Sequence, residues 1–356
     1  MKSPHHTPLR LGILGCANIA KQFVRDVAPS PSVSIQAVAS RDLSKAQSFA
    51  QTFGIPHVHA SYEALLDDAR IEAIYIPLPN SLHAEWAVRA LQAGKHVLCE
   101  KPLALNLAEV TRMFAAARQH EVMLLESYPY WFQPQTRDLV ANLHADTIGQ
   151  VRSVQASFGF TLGNPLTNIR MKPELGGGAL LDAGSYPISL IRLVMGCAPE
   201  RVMAHANWAD TGVDISMNAT LWYADGRSAQ MSCAMNAANH RRATIVGSDG
   251  AIETEYLNHT SSTTTHPWGY LPSQLRVRRG IANTIAFEDI QSATGSGFQF
   301  AAEAFSQVVR TQDHAAIDRA AAASHDIAAT LDAIRLSAQT GQAVRLSSIH
   351  VQSVQP

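Results

Sequence analysis

Lys101 is the residue that the sequence offers most clearly for chemistry. It closes a short apolar run, Val97–Leu103, that reads Val-Leu-Cys-Glu-Lys-Pro-Leu. Because proline stops a strand, a strand ending here would deliver the lysine ammonium to the carboxyl edge of a parallel sheet, where nucleotide ligands bind. A lysine at a strand end is also commonly a solvated surface charge, so a catalytic role requires partners.

A phosphate-binding turn is the second candidate. Residues 15–20 read Gly-Cys-Ala-Asn-Ile-Ala, which is G-x-A-x-x-A rather than the full dinucleotide fingerprint G-x-G-x-x-G. Gly15 permits the tight turn, but alanine at position 17 replaces the glycine that lets the backbone approach a pyrophosphate. The motif alone fits an ordinary strand-to-helix corner equally well. The predicted cofactor contacts in this turn are Gly15, Cys16, Ala17, Asn18 and Ile19.

The end of the next apolar run bears on the choice between NAD and NADP. An NAD enzyme is expected to offer a carboxylate there to the ribose 2′-hydroxyl, whereas this sequence offers Ser40 and Arg41. A 2′-phosphate would meet a hydroxyl donor and a cation, with Lys45 adding charge one turn later. NADP is therefore the predicted cofactor. In the alternative, Asp42 binds the ribose and the cofactor is NAD, but Asp42 also suits the N-cap of the following helix.

Two rhythms of apolar residues predict the elements that position these side chains. Over residues 9–127, short apolar runs alternate with amphipathic segments, which predicts a parallel sheet with helices on both faces. From residue 149 the strands are longer and alternating, which predicts a large, mostly antiparallel sheet with one covered face. The predicted fold class is α/β, an N-terminal Rossmann domain with a C-terminal α+β domain.

The predicted boundary separates a dinucleotide-binding domain, residues 1–126, from a substrate-binding and oligomerisation domain, residues 127–356. The C-terminal helices of the second domain can pack back on the first. An open sheet face is expected to be apolar and to mark an association surface. We therefore predict a homodimer or a larger homo-oligomer built through that sheet.

Composition narrows the partners and the compartment. The 28 Lys and Arg residues almost balance the 29 Asp and Glu residues, so the chain lacks the positive net charge that would attract nucleic acid. The four cysteines lie far apart without a CxxC spacing, so neither a disulfide framework nor a metal site is expected, and a reducing cytoplasm fits best. The first apolar run is too short for a signal sequence or a span, and no membrane partner is expected.

Four segments together resemble one known family. They are Gly15–Ala20, Tyr75–His83, Glu100–Pro102 and Gly176–Pro187, the last reading Gly-Gly-Gly-Ala-Leu-Leu-Asp-Ala-Gly-Ser-Tyr-Pro. Over nearly its whole length the chain resembles the glucose-fructose oxidoreductase and inositol dehydrogenase (Gfo/Idh/MocA) family. It looks most like the branch of NADP-dependent D-xylose dehydrogenases and dimeric dihydrodiol dehydrogenases, which carry tyrosine where inositol dehydrogenases carry histidine.

The resemblance implies hydride transfer between a nicotinamide and a carbon that bears a hydroxyl or a carbonyl. Such a reaction needs a base for the hydroxyl proton and a group that stabilises the forming charge. Tyr186 is implied as the proton-transfer group, and a nearby Lys101 would lower its phenol pKa from about 10. Asp182, one helical turn earlier on the same face, would orient a substrate hydroxyl. Without the resemblance, Tyr186 could be a core tyrosine and Asp182 a helix cap.

The resemblance also implies cofactor contacts in the loops after the strands. One loop is implied to pass beneath the nicotinamide ribose, and Glu100 is implied to contact the nicotinamide or to brace Lys101. For His83 and Arg170 the plain alternative is a surface position. Besides Lys101, the implied contacts are Pro77, Leu78, Asn80, His83, Glu100 and Arg170.

One segment departs from the pattern of that branch, which is close to Glu-Ala-Phe-Met-Tyr-Arg-Phe-His-Pro-Gln. Here residues 126–135 read Glu-Ser-Tyr-Pro-Tyr-Trp-Phe-Gln-Pro-Gln, so Trp131 takes the place of an arginine and Gln133 that of a histidine. In the family this segment lines the mouth of the active site, so the change should alter which substrate binds. Trp131 either stacks on a sugar or an aromatic diol, or fills the domain junction.

The leading function is therefore an NADP-dependent oxidoreductase acting on a small sugar, a polyol or a related diol, with Lys101, Trp131, Asp182 and Tyr186 at the substrate. One alternative is a cofactor-sensing regulatory protein without turnover, although such a sensor has no need of a proton-transfer group. Another alternative is a redox-assisted lyase or hydrolase, in which the cofactor is reduced and reoxidised within one cycle.

Overall fold

The computed structural model of the 356-residue chain describes residues 7–256 and 274–353, with side chains to residue 349. Contacts between Cα atoms divide the chain into two compact units. The first unit takes in the chain up to Ala104, Glu109–Pro129 and Ser296–Ala322. The second unit takes in Leu105–Ala108, Tyr130–Gly295 and the chain from Ala323 onward.

The described residues form fifteen strands and ten α-helices. Strands β1 to β15 are, in order, Leu9–Leu14, Val33–Ala39, His57–His59, Ala73–Ile76, His96–Glu100, Leu124–Ser127, Val151–Thr161, Arg201–Trp208, Asp214–Trp222, Ser228–Ala234, Asn236–Gly247, Gly250–Thr254, Leu275–Arg279, Glu288–Ile290 and Val344–Arg345. Helices α1 to α10 are, in order, Asn18–Val27, Leu43–Phe53, Tyr62–Leu66, His83–Gln92, Leu107–Gln119, Pro134–His144, Ser185–Met195, Gly297–Thr311, His314–Thr340 and Leu346–Ser353.

The sheet of the first unit has six strands in the order β3-β2-β1-β4-β5-β6, and every pair of neighbours is parallel. Strands β4 and β6 are buried at every residue, as expected for a parallel sheet with helices on both faces. The strand order reverses between β1 and β4, and ligands bind outside the carboxyl ends of the strands at such a reversal. The predicted Rossmann domain is confirmed.

Aromatic rings hold the helices of the first unit to its sheet. The ring of Phe23 in α1 stacks on that of Tyr75 in β4 at a centroid distance of 3.7 Å. Phe298 of α8 lies edge-on to Phe23 at 5.7 Å. Full burial of one such side chain is worth roughly 1.5–3 kcal/mol, and the ring geometry adds about 0.5–1.5 kcal/mol. Helix α8 thus belongs to this unit although it follows the second sheet in the chain.

The sheet of the second unit has nine strands in the order β14-β13-β12-β11-β7-β10-β9-β8-β15. All neighbours are antiparallel except β7 and β10, which are parallel. Helix α7 packs against β7 and β10. Buried apolar residues alternate along these strands, which is the pattern of a sheet with one covered face. The predicted large, mostly antiparallel sheet is confirmed.

The expectation that the open face of this sheet is apolar is wrong. Two rows of paired residues cross five neighbouring strands on that face, and nine of their ten side chains are polar. The rows are Met203, Thr220, Gln230, Gln155 and Thr244, and His205, Asn218, Ser232, Ser157 and Arg242. Polar residues of different sizes occupy the alternate positions of these strands, so an alternating pattern does not by itself make the open face apolar. A shallow groove of about 620 Å³ lies on this face.

The longest described helix is α9, with 27 residues. Its sequence is rich in alanine, which has the highest helix propensity. The division between the two units falls inside this helix, between Ala322 and Ala323. Neither α9 nor any other helix in the described part of the chain is long and apolar enough to span a bilayer.

Candidate active site

The turn between β1 and α1 leads into a helix start without a side-chain cap. Gly15 has φ +115°, and a Cβ on it would lie 2.9 Å from Leu78 Cδ2, so only glycine fits without strain. Helix α1 begins at Asn18, and its N-cap Ala17 provides no side-chain hydrogen bond. No acidic residue lies in the first turn. The N–H groups at this helix start therefore remain available for an anion, which the positive end of the helix dipole also attracts.

The carboxylate of Asp42, at the end of β2, caps the helix that follows. Asp42 Oδ1 accepts hydrogen bonds from the backbone N–H of Ser44 at 3.0 Å and of Lys45 at 3.2 Å, which makes Asp42 the N-cap of α2. The hydroxyl of Ser44 and these N–H groups lower the pKa of Asp42. The predicted capping role is confirmed. Ser40, Arg41 and Lys45 remain as the polar and cationic side chains at this strand end, which suits a 2′-phosphate better than a ribose hydroxyl.

Tyr62, the first residue of α3, joins these two turns. Its hydroxyl would lie 3.7 Å from a Cβ on Gly15, and the charge of the Arg41 guanidinium acts on it. Burial raises the pKa of Tyr62, while the charge of Arg41 opposes that rise. The ring packs edge-on against Trp86 at 4.8 Å. Burial raises the pKa of the Cys16 thiol, and Ser40 opposes that rise. Tyr62 and Cys16 thus connect the Gly15 turn to the end of β2.

His83 connects the loops that follow β4 and β5. Its side chain is fully buried, with Nε2 2.8 Å from the carbonyl oxygen of Leu78 and Nδ1 2.8 Å from that of Pro102. Burial lowers the pKa of His83, and a neutral ring donates from only one nitrogen at a time. Both ring nitrogens face main-chain carbonyls, so the residue holds the loop of Pro77 and Leu78 to the loop that carries Lys101.

A buried carboxyl group precedes Lys101. Tyr75 Oη donates a hydrogen bond to Glu100 Oε1 at 2.7 Å, and burial raises the pKa of Glu100 to about 7 against the opposing effects of Tyr75 and of the Lys101 ammonium. On the other side of Lys101, the Leu103 N–H donates to Glu126 Oε1 at 2.9 Å. Two buried acidic residues therefore flank the Lys101 segment, and Glu126 fixes its backbone at Leu103.

In the second unit, the helical segment that carries Asp182 and Tyr186 starts at Gly178. Gly178 has φ +109°, and a Cβ on it would clash with the Asp214 carboxylate. Asp214 Oδ2 accepts a hydrogen bond from the Leu180 N–H at 2.6 Å, and burial raises the pKa of Asp214. A π-helical turn over Leu180–Gly184 then leads directly into α7. Such turns are rare and frequently occur at functional sites.

Arg170 lies against Asp182. Its Nε donates to Asp182 Oδ2 at 2.5 Å and its Nη2 to Oδ1 at 3.4 Å. The guanidinium also stands over the Phe160 ring, 5.7 Å from the centroid. Burial works against the positive charge, but the carboxylate of Asp182, together with Tyr186, more than compensates and raises the pKa of Arg170. The Asp182 carboxylate is therefore held in one orientation from within its own unit.

Tyr186 is buried among aromatic rings. Its ring lies 5.1 Å from that of Phe158 and 6.1 Å from that of Tyr130. The Tyr130 hydroxyl is 2.6 Å from Ser189 Oγ and accepts a hydrogen bond from Trp131 Nε1 at 2.7 Å. Trp131 is thus oriented by Tyr130, which in turn packs on Tyr186. Gln133, the other departure from the branch pattern, is buried at the N-cap of α6.

The two halves of the chain each match a family description. Residues 9–128 match an oxidoreductase family with an NAD-binding Rossmann fold, and residues 136–253 match the C-terminal domain of the same family. The chain belongs to the Gfo/Idh/MocA family. Membership confirms the predicted family, and with it the oxidoreductase class and the nicotinamide cofactor.

Individual relatives agree with the predicted branch. The NADP⁺-dependent D-xylose 1-dehydrogenase of Haloferax volcanii is 35% identical over 339 residues, which are 95% of this chain and 100% of the relative. A trans-1,2-dihydrobenzene-1,2-diol dehydrogenase of Danio rerio is 39% identical over 249 residues, 69% of this chain and 74% of the relative. A 3-ketoreductase of Actinomadura kijaniata, solved with NADP and TDP-benzene, has a TM-score of 0.82 at 33% identity and covers 93% of this chain and 98% of its own. NADP, the predicted cofactor, is thus named for two of these relatives.

Within this Gfo/Idh/MocA chain, the predicted site residues fall into two groups. The first unit holds the predicted cofactor contacts at the carboxyl edge of its sheet and in the turns that follow, together with Lys101. They are Gly15, Cys16, Ala17, Asn18, Ile19, Ser40, Arg41, Lys45, Pro77, Leu78, Asn80, His83 and Glu100. The second unit holds Trp131, Arg170, Asp182 and Tyr186. Arg170, predicted to contact the nucleotide, has Asp182 as its charged partner here.

Three residues that sequence reasoning missed support these groups. Tyr62 interacts with Arg41, Asp214 fixes the helix start at Leu180, and Tyr130 orients Trp131. Tyr62 and Asp214 lie far in sequence from their partners, so no local motif contains the pair. Tyr130 lies inside the aromatic stretch that the sequence singled out, and that stretch was the available signal.

Proposed function

We propose that this chain is an NADP-dependent oxidoreductase that moves a hydride between the nicotinamide and a CH–OH or C=O carbon of a small sugar, a polyol or a related diol. The observation that carries the proposal is that the Gly15 turn, Arg41 and Lys101 all follow strands of the same six-stranded sheet. They therefore lie at the carboxyl edge of that sheet. Asp42 is committed to capping α2, which supports NADP over NAD.

When bound, the nicotinamide supplies the hydride acceptor or donor. The chain must then move a proton and stabilise charge on the substrate oxygen. We assign proton transfer to Tyr186, stabilisation of the oxygen to Lys101 and orientation of a substrate hydroxyl to Asp182. Trp131 is assigned to the substrate because its indole N–H is tied to Tyr130 and its ring is partly exposed. The nucleotide contacts are those of the first unit, with His83 acting through its loops.

The remaining parts of the proposal concern organisation. Residues 1–126 are proposed to bind the dinucleotide and residues 127–356 to bind substrate and to form the oligomer. A homodimer or a larger homo-oligomer would use the polar open face of the nine-stranded sheet, because interfaces need not be more apolar than other surfaces. A reducing, cytoplasmic location is supported by four free cysteines.

Spectroscopy tests the proposed reaction. Sugars, polyols and aromatic diols are incubated with the chain and NADP, and in parallel with NAD, while the near-ultraviolet absorbance of reduced cofactor is recorded. We expect signal with NADP and at least one member of the panel. Lys101→Ala and Tyr186→Phe should each reduce the rate by about 10²-fold or more, within the range for a lost proton-transfer or charge-stabilising group, while NADP still binds.

Full turnover by both variants would overturn the residue assignment. Cofactor binding without any turnover would favour the sensing regulator. A bound cofactor that shows no net redox change while substrate disappears would favour the lyase or hydrolase.

A further inference from the structure

We infer that Arg170 is a positioning residue for proton transfer: its ion pair holds Asp182 one turn from Tyr186 and balances the carboxylate charge beside the phenol. The inference rests on the proposed function, because it assumes that Tyr186 moves the proton. It adds a contact with Asp182 to the predicted role of Arg170 at the nucleotide. All three residues belong to the second unit.

The geometry fixes Arg170 from three sides. Its backbone N–H is held by Asn168 Oδ1 at 3.1 Å, at the start of a short 3-10 turn over Ile169–Met171. Its guanidinium makes two contacts with the Asp182 carboxylate and stands over Phe160. Two-point contact between a planar guanidinium and a carboxylate fixes orientation as well as distance. Asp182 therefore has little freedom to turn away from the helix face that it shares with Tyr186.

Aromatic residues of β7 connect the pair to Tyr186. Phe160 carries Arg170 on its face, Phe158 lies 6.1 Å from Phe160, and Tyr186 packs against Phe158 at 5.1 Å. Aromatic rings thus line the path between the ion pair and Tyr186. Arg170 interacts electrostatically with Tyr186 as well as with Asp182.

The charge balance makes opposite predictions for the two partners. Without the cation, the Asp182 carboxylate stands near Tyr186 uncompensated, and a nearby negative charge disfavours the phenolate. Without the carboxylate charge, the Arg170 cation is uncompensated and favours the phenolate. Other titratable groups around Tyr186 in this unit include Tyr130, Cys233, Arg241 and Tyr256. The substitutions at Arg170 and Asp182 alter none of these groups. Shifts of the Tyr186 pKa in opposite directions would therefore come from the Arg170–Asp182 pair.

The pH dependence of kcat for oxidation of the substrate identified by the panel tests the inference. For Arg170→Met we expect the apparent pKa of the base to rise by about one unit, which gives roughly tenfold lower kcat on the acidic limb and recovery at higher pH. For Asp182→Asn we expect the apparent pKa to fall, with a higher KM because a substrate contact is lost. Arg170→Lys keeps the charge and should restore the apparent pKa of the base, but not the two-point contact that orients Asp182. Arg152→Met, at an exposed position of β7, removes an equal charge and should leave the profile unchanged.

A second measurement needs neither substrate nor turnover. The phenolate absorbance of Tyr186 is obtained as the difference between each protein and the same protein carrying Tyr186→Phe, titrated with pH while circular dichroism monitors folding. The inference predicts that Tyr186 ionises at higher pH in Arg170→Met and at lower pH in Asp182→Asn. If these shifts occur and no panel substrate turns over, the electrostatic coupling stands and the proposed function fails. If Arg170→Met leaves the titration of Tyr186 unchanged, or if both substitutions move it in the same direction, the inference is wrong.

Discussion

Two helical segments in this chain follow a glycine with nearly the same φ, but their first N–H groups have different partners. Gly15 has φ +115° and leads into α1, while Gly178 has φ +109° and leads into the π-helical turn before α7. At the first start no side chain caps the helix and no acid lies in the first turn. At the second, Asp214 occupies the Leu180 N–H and Asp182 lies within the first turn.

The capping of the two helix starts determines what each can do: one can accept a ligand anion, and the other fixes the residues that follow it. An open helix start retains N–H donors and positive potential for a ligand anion. A start that is already neutralised by carboxylates has no such capacity, but it fixes the residues that follow. The second start therefore sets the register of Asp182 and Tyr186. A glycine before a helix is not enough to indicate phosphate binding, because the acids near it decide what the N–H groups do.

Removing the carboxylate at the second start should have the largest effect. Asp214→Ala leaves the buried Leu180 N–H without its acceptor, and we expect the free energy of unfolding of the second unit to fall by about 1–3 kcal/mol. Turnover should fall further than stability alone explains, because the turn that carries Asp182 loses its anchor. Denaturant unfolding and steady-state kinetics measure the two effects.

Asp214→Asn is the matched control, since its amide oxygen can still accept the hydrogen bond. It should keep most of the stability and most of the activity. NADP binding, measured by titration calorimetry, should change little in either variant. A large loss of NADP affinity in Asp214→Ala would show that the two helix starts are not separate in function.

Closing the first start should act on the cofactor instead. Gly15→Ala forces a side chain into φ +115° and against Leu78, at a cost of about 1–3 kcal/mol for such a conformation. Because the turn must move where the phosphate binds, we expect the Kd for NADP to rise roughly 10- to 100-fold. Gly178→Ala is the counterpart, and it should reduce stability while leaving the Kd for NADP unchanged. Equal loss of NADP affinity in both variants would remove the distinction drawn between the two starts.

Most of the first unit could be predicted from the sequence, because short apolar runs and amphipathic helices leave strong periodic signals. The apolar run over residues 33–39 predicts a strand and the amphipathic segment over residues 43–53 predicts a helix, and both agree with β2 and α2 at both ends. Strand β3 and helix α3 were missed, since three and five residues are too short to show a period. Tyr62 was missed with them. In the second unit, the alternation over residues 201–208 predicts β8 with its observed bounds. No strand is predicted from the sequence for β11 to β14.

The candidate site was only partly predictable, for a related reason. Lys101, Asp182 and Tyr186 lie in compact motifs, so their segments could be recognised locally. Arg170 and Asp182 are separated by 12 positions of irregular chain. Asp214, the first residue of β9, contacts Leu180 across a separation of 34 positions. Such pairings depend on how the sheet is assembled. The polarity of the open sheet face was mispredicted because alternation indicates which residues share a face and not what covers it.

The last prediction concerns the cation beside the open helix start, and its smaller effect belongs to Tyr62. Arg41→Met removes a charge-assisted contact to a 2′-phosphate, worth about 1.5–3 kcal/mol, so NADP should bind roughly 10- to 100-fold more weakly. NAD, which lacks that phosphate, should bind with unchanged Kd. Tyr62→Phe keeps the ring on Trp86 and removes only the hydroxyl that interacts with Arg41, so the loss for NADP should be about two- to tenfold, smaller than the loss on removing the cation itself. If Tyr62→Phe weakens NAD and NADP equally, Tyr62 supports the turn at Gly15 rather than the selection of the phosphate by Arg41.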